Sequence, residues 1–308
     1  DLGGNTLWSF SQAIVPGEVV TWTGAVSTEW ADSGNWAIGR APVETDDIRV
    51  NALTGESFKY PVLPSGNYSF NKISVGAGAA LVLSGCNLTV TNKLTVAGSF
   101  TCSGSEYVYL VGDADFTGSS VASANSRVYV TGATGQTLDL GGRTFNRIIV
   151  DKSAGNVSFS GHGFTAALLR CDATNQIAIT FAAGETYSAS EFYVNGVSGM
   201  SKLVTLRSSS AGTRWKLVTT AAGQSVSGLS VSDCDASGGA KVNAGSSCVN
   251  AGNNLNWDFA SATAEWIGGT TGCFTNNENW TSGTAPGNDT RVMIRAMAAF
   301  GRSRVPSS

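Results

Sequence analysis

Residues 68–112 read YSFNKISVGAGAALVLSGCNLTVTNKLTVAGSFTCSGSEYVYLVG. Apolar residues alternate here with Thr, Ser, Asn and Tyr in short runs, and Gly-containing words separate the runs. Alternation at a period of two puts one set of side chains on the inner face of a half-buried strand. The glycines between runs supply tight turns. The same grammar continues through SRVYVTG (126–132), TFNRIIV (144–150), NVSFSG (156–161), IAITFAAG (177–184), SEFYVNG (190–196), KLVTLRS (202–208), RWKLV (214–218) and SGLSVSD (227–233). GFTAALLRC (163–171) comes nearest to a helical pattern, and it is short.

Two further periodicities organise this ladder. Phe70-Asn71-Lys72-Ile73 with Val75 recurs 75 residues on as Phe145-Asn146-Arg147-Ile148 with Val150, and Leu88-Thr89-Val90 recurs as Leu94-Thr95-Val96. Such strand–turn words suit stacked coils of roughly 20 to 25 residues. About eight coils would fill residues 45–259. The longer repeat is more specific. WTGAVSTEWADSGNWAIGRAPVETDDIRV (22–50) aligns without a gap to WIGGTTGCFTNNENWTSGTAPGNDTRVMI (266–294), 244 residues downstream. Trp22, Gly24, Asn35, Trp36, Gly39, Ala41 and Pro42 match Trp266, Gly268, Asn279, Trp280, Gly283, Ala285 and Pro286, and Trp30 corresponds to Phe274. GNTLWSF (4–10) likewise resembles GNNLNWDF (252–259).

These repeats predict a window onto a tandem array. Residues 1–20 would end one unit, 21–50 form a Trp-rich cap, 51–260 form the coils, and 261–294 begin the next unit. Residues 295–308, with three arginines and no strand pattern, are expected to be a vector-derived tail. A gene cut inside a repeat and joined to vector is what random cloning of metagenomic DNA followed by activity screening yields, which favours an enzyme.

Composition agrees with many short strands. Of 308 residues, 42% are hydrophobic and 13% charged, with 38 glycines and 6 prolines; the usual charged share is about 25%. A net charge of −3 without a basic stripe argues against nucleic acid as a partner. The sequence has no run of about 18 apolar residues that could span a membrane. The hydroxyl-rich, charge-poor surface favours an extracellular or cell-surface address.

Residues 45–259 resemble the right-handed parallel β-helix regions of bacterial surface and autotransporter-like proteins, and the W-x-G…NW…G-x-x-P segment resembles the motif that introduces such helices. The resemblance implies an all-β solenoid, with a β-sandwich as the structural rival. It implies an adhesin-like structural role facing a glycan or cell-surface ligand, and it carries over no catalytic residue.

Candidates for chemistry are few. Trp22, Trp30 and Trp36 are either a sugar-stacking platform or caps over the open end of the solenoid. Asp233 and Asp235, with Asn243 close in sequence, are the candidate ligands for Ca²⁺ or another divalent cation, which prefers clustered oxygens. Asp113/Asp115 and Asp46/Asp47 are weaker pairs. His162, between two glycines, joins Asp233 and Asp235 as a catalytic candidate for a metal-dependent hydrolase acting on an ester, phosphoester or polysaccharide, the alternative to the structural role. Lys152, Arg170, Asp172, Glu191, Lys202 and Arg214 would matter if they shared a face. Cys234 and Cys248 read equally as a disulfide loop or as small buried hydrophobes; Cys86, Cys102, Cys171 and Cys273 read as the latter. A dimer through the exposed end of the incomplete unit is a further expectation.

Overall fold

The computed structural model describes residues 17–54, 59–196, 203–259, 263–268, 272–281, 283–286 and 291–293; the expected tail at 295–308 lies outside them. The chain is a parallel β-solenoid of about 9 turns. All pairings between the strands described are parallel. A β-sandwich is antiparallel, so that rival is set aside. Helix among the described residues is limited to the 3-10 turns Ser33–Asn35 and Asn277–Asn279. GFTAALLRC is part of the strand Phe164–Asp172. Its adjacent buried Leu168 and Leu169 mark a corner between sheets, and this is what blurred its alternation.

Each turn visits three parallel sheets in order. One full turn runs from the strand end at Lys72–Val75 through Ala80–Leu83 to the first half of Cys86–Val96, and returns to the first sheet at Leu94. Inward side chains fall into register from turn to turn: Val20, Ile48, Ile73, Leu94, Ala114 and Leu138 form one such line. Successive members are separated by as few as 20 residues (Leu94 to Ala114) and as many as 28 (Val20 to Ile48). The line continues into Phe159 and Phe181. Phe181 stacks on Trp215 at 4.0 Å, so stacked aromatics fill the distal core where aliphatics fill the proximal part.

The word shared by residues 70–75 and 145–150 does not mark equivalent places. Ile73 and Val75 pair in the first sheet with Ile48 and Val50, whereas Ile148 and Val150 pair with Val128 and Val130 in the sheet one face away. The word encodes a strand that turns a corner, with Phe70 and Phe145 both buried before the bend. It therefore recurs wherever such a corner is needed.

Two buried polar groups tie turns together. Glu106 is 1% exposed. Its Oε1 accepts the N–H groups of Gly85 (2.9 Å), Ser103 (3.1 Å) and Gly104 (3.0 Å) and the hydroxyl of Ser103 (3.1 Å). Burial pushes its pKa up, but these donors to the charged form outweigh it and hold the carboxyl below the ordinary glutamate value. Because the folded value is the lower one, the stabilisation is complete above the unfolded value of about 4.3 and is lost as pH falls below it. Glu106→Gln is expected to flatten the acid limb of stability in that window, read as the urea midpoint between pH 5 and pH 3. An unchanged slope would place the acid sensitivity elsewhere.

The second group is Gln136, which takes an inward position in line with Val157 and Ile179. Its Nε2 donates to the carbonyls of Leu110 (2.8 Å) and Gly112 (2.7 Å), while its Oε1 accepts from Lys152 Nζ. Lys152 also donates to Thr134 O at 2.6 Å. Burial pushes the Lys152 ammonium below its usual pKa. This lysine closes the polar core of a corner and does not join a surface cluster.

Candidate functional site

The tryptophan motif folds the same way twice. Trp22 bridges Trp36 with rings 4.9 Å apart at 83°, and Trp266 bridges Trp280 at 5.0 Å and 75°. The indole N–H of Trp36 donates to Trp30 O at 2.8 Å, and that of Trp280 to Phe274 O at 2.9 Å. Asn35, fully buried, holds the loop closed. Its Oδ1 accepts the N–H groups of Val26 and Ser27 (both 2.9 Å), and its Nδ2 donates to Glu29 O (2.9 Å). Asn279 donates to Cys273 O at 2.8 Å in the same role. Gly39 and Gly283 both take the left-handed conformation, φ +71 and +65, which a side chain disfavours.

Trp22, Trp30 and Trp36 are 1%, 3% and 3% exposed. A ring face must be open to stack on a sugar, so the expected platform at these three residues is not there. Their indoles belong to the core, and Trp30 packs on Phe70 at 5.4 Å.

The carboxylate candidates disperse. Asp233 (φ +52) accepts Gly212 N–H at 3.1 Å and Asn253 Nδ2 at 2.6 Å. Asp235 instead accepts the N–H of Ser237 at 2.9 Å, and this hydroxyl and amide donation holds its pKa low. Asn243 lies in the strand Val242–Asn243, where its own N–H goes to Gln224 Oε1. No cluster of three or more His, Cys, Asp or Glu suited to a metal forms among the described residues. Asp46 is buried against Arg40, and Asp47 takes Lys72 at 3.2 Å. Asp113 and Asp115 accept the N–H groups of Thr137 and Thr117.

His162 is exposed and sits 3.1 Å from Asp139 Oδ1 through Nδ1. Cys234 and Cys248 are free buried thiols, as are Cys86, Cys102 and Cys171. Burial raises the Cys102 and Cys171 thiols to about 12, which makes them inert. The small-hydrophobe reading therefore holds for this pair, and the disulfide loop does not form.

Of the six scattered charges, Lys152 is buried and Lys202 lies outside the described residues. Arg214 reaches Asn253 O at another turn. Arg170, Asp172 and Glu191 do share a face, the outer side of the sheet that contains Tyr107–Leu110 and Arg127–Gly132. That face carries the most distinctive exposed chemistry in the molecule. One outward line runs Thr89, Tyr109, Tyr129, Ile149, Arg170, Tyr193, and its neighbour runs Asn87, Tyr107, Arg127, Arg147, Leu168, Glu191.

Three tyrosines meet there on adjacent turns. Tyr109 and Tyr129 lie 5.0 Å apart at 22°, and Tyr107 is 6.0 Å from Tyr129 at 16°. Arg127 lies 5.0 Å over the Tyr107 ring, a cation–π contact. Burial, followed by Tyr129, Tyr107 and Asp151, pushes the Tyr109 phenol above its ordinary pKa, so it stays a neutral hydrogen-bonding group. A depression of about 300 Å³ lies on the Tyr109 side, lined by Glu44, Asn67, Tyr68, Asn87 and Thr89. A second, of about 220 Å³, lies on the Tyr129 side, lined by Ile149, Asp151, Arg170 and Asp172.

Sequence reasoning missed these tyrosines, although a signal was present. In YVYL and RVYV the aromatics occupy the outward phase while valine and leucine occupy the inward one. Comparisons with protein families, with curated proteins and with solved structures each return no match.

Proposed function

We propose that the chain is part of a secreted or cell-surface, adhesin-like repeat protein of the bacterial autotransporter-like kind, whose solenoid units are joined end to end. The observation that carries this reading is a second beginning inside the chain. Thr263–Glu265 pairs with Arg291–Met293 in the register Thr263↔Arg291, Ala264↔Val292. That is the opening pair of the first unit, Val19↔Asp47 and Val20↔Ile48, displaced by the same 244 residues as the tryptophan motif. A chain that restarts its own first turn is suited to extension by repetition.

The incomplete covering of the second motif supports the same reading. Trp30 is buried beneath Tyr68 and Phe70 of the third turn. Its counterpart Phe274 is 49% exposed, and Val292, counterpart of Ile48, is 37% exposed. In a tandem array these are the positions on which the next turns stack, with the tryptophan motif capping the start of each unit.

Antibody against the chain is expected to label unpermeabilised cells that produce it. Label seen only after permeabilisation would remove the surface reading. A chromogenic ester, phosphoester and glycoside panel, with and without chelator, is expected to show no turnover; chelator-sensitive turnover would put the metal-dependent hydrolase in its place. Sedimentation velocity separates a dimer through the Phe274 face from a monomer that leaves it open.

A further inference from the structure

We infer that the tyrosine face binds a neutral, equatorially linked hexopyranose chain laid along the solenoid axis, with sugars held against the two outer faces of the Tyr109–Tyr129 pair. This names a ligand for the adhesin reading and rests on it only for biological context. Binding can fail while surface display stands, and the two are measured separately.

The argument starts from how the rings overlap. At 5.0 Å and 22° the two rings are too close to lie side by side and too far apart to eclipse, so they are offset like roof tiles. Each therefore shields one face of the other and leaves its own outer face uncovered. The next residue along the line is small or aliphatic on both sides: Thr89 beyond Tyr109, and Ile149 beyond Tyr129. Neither continues the aromatic stack, and each gap is one of the two depressions. Each depression thus has an aromatic wall beside hydrogen-bonding groups.

A pyranose ring presents an apolar C–H face and a rim of hydroxyls, which is the chemistry these walls complement. On the Tyr129 side the rim groups are Asp151, Arg170 and Asp172. Asp172 is already oriented by Arg170 Nε and by Asn195 Nδ2 at 3.0 Å. On the Tyr109 side they are Asn67, Asn87, Thr89 and Glu44, and Asn87 is fixed by its 2.7 Å bond to Asn67. Oriented donors and acceptors lose little freedom on binding.

Charge and spacing narrow the ligand. The face carries Arg127, Arg147 and Arg170 against Glu44, Asp151, Asp172 and Glu191, so it neither attracts a polyanion nor selects a polycation. Turns of a parallel solenoid stack at about 4.8 Å, which puts Thr89 and Ile149, three turns apart, about 14 Å from each other. One disaccharide reaches one wall only, whereas an extended hexasaccharide reaches both. Equatorial linkages keep such a chain flat enough to follow a flat sheet. The second contact then forms at high effective concentration.

The full chain should be tested by affinity electrophoresis in glucomannan and by calorimetry with cello- and manno-oligosaccharides. Retardation is expected, with a hexasaccharide binding at least about tenfold tighter than the matching disaccharide. Tyr109→Ala and Tyr129→Ala should each weaken binding about tenfold, while Tyr109→Phe and Tyr129→Phe keep most of it. Asp151→Ala, at an exposed position that does not bear on folding, should weaken it several-fold with an unchanged melting curve. The inference is overturned if no neutral glycan retards the protein or if the alanine variants bind as the wild type does. Preferred binding of polygalacturonate, or equal affinity for disaccharide and hexasaccharide, overturns it as well.

Discussion

Trp36→Ala is expected to cost about 4 kcal/mol of stability, the range for removing a buried aromatic, and to leave glycan binding unchanged. The indole is wedged edge-on between Trp22 at 4.9 Å and Trp30 at 4.7 Å. Its N–H satisfies the carbonyl of Trp30, which would be left buried and unpaired. Trp280→Ala should cost less, because its neighbour Phe274 is half exposed and the cluster around it is less complete. Urea denaturation followed by circular dichroism measures both. In a solenoid each turn is held mainly by its neighbours, so the Trp36 variant should fray from the first turns while the turns around Trp215 persist. An alanine variant that melts like the wild type but no longer binds glycan would restore the sugar-platform reading of this motif.

Arg40→Ala should destabilise the fold by about 3 kcal/mol, because it strands a buried carboxylate. Asp46 is fully buried, and Arg40 grips both its oxygens, at 2.6 Å and 3.2 Å, while also reaching Glu18 at 2.9 Å. Val43 N–H supplies the one further donor at 2.9 Å. Lysine cannot present two parallel donors to one carboxylate, so Arg40→Lys should recover less than half of the loss. Arg40→Ala combined with Asp46→Ala should be more stable than Arg40→Ala alone, since the double change removes the stranded charge as well. A thermal-melt cycle over these variants reads the coupling; strict additivity would show that the pair does not act as a unit. The second repeat carries Thr284 and Thr290 at the corresponding positions. Both partners are replaced there together.

Much of the architecture was legible because it is local. Alternation in Ala80–Leu83 and Tyr107–Leu110 assigned the inward side chains, and the structure buries them. The one-dimensional repeat at 22–50 and 266–294 also survives folding, since the bonds that shape the motif, such as those of Asn35 and Asn279, lie within it. The corner word at 70–75 and 145–150 misled as a marker of equivalent turns. A bend between sheets is specified locally, but which two sheets it joins depends on everything before it.

By itself, then, the sequence determined the strand phase, the parallel solenoid and the point at which the chain restarts, because each follows from the period of apolar residues or from repetition along the chain. Tertiary structure alone decided which tryptophans and tyrosines face water. Trp30 and Tyr109 are both aromatic residues flanked by polar ones, yet one is covered by Tyr68 and Phe70 while the other stands on an outer line between Thr89 and Tyr129. That line joins residues from turns of unequal length. No fixed spacing in the sequence links its members, and only the hydrogen-bonded register between turns brings them together.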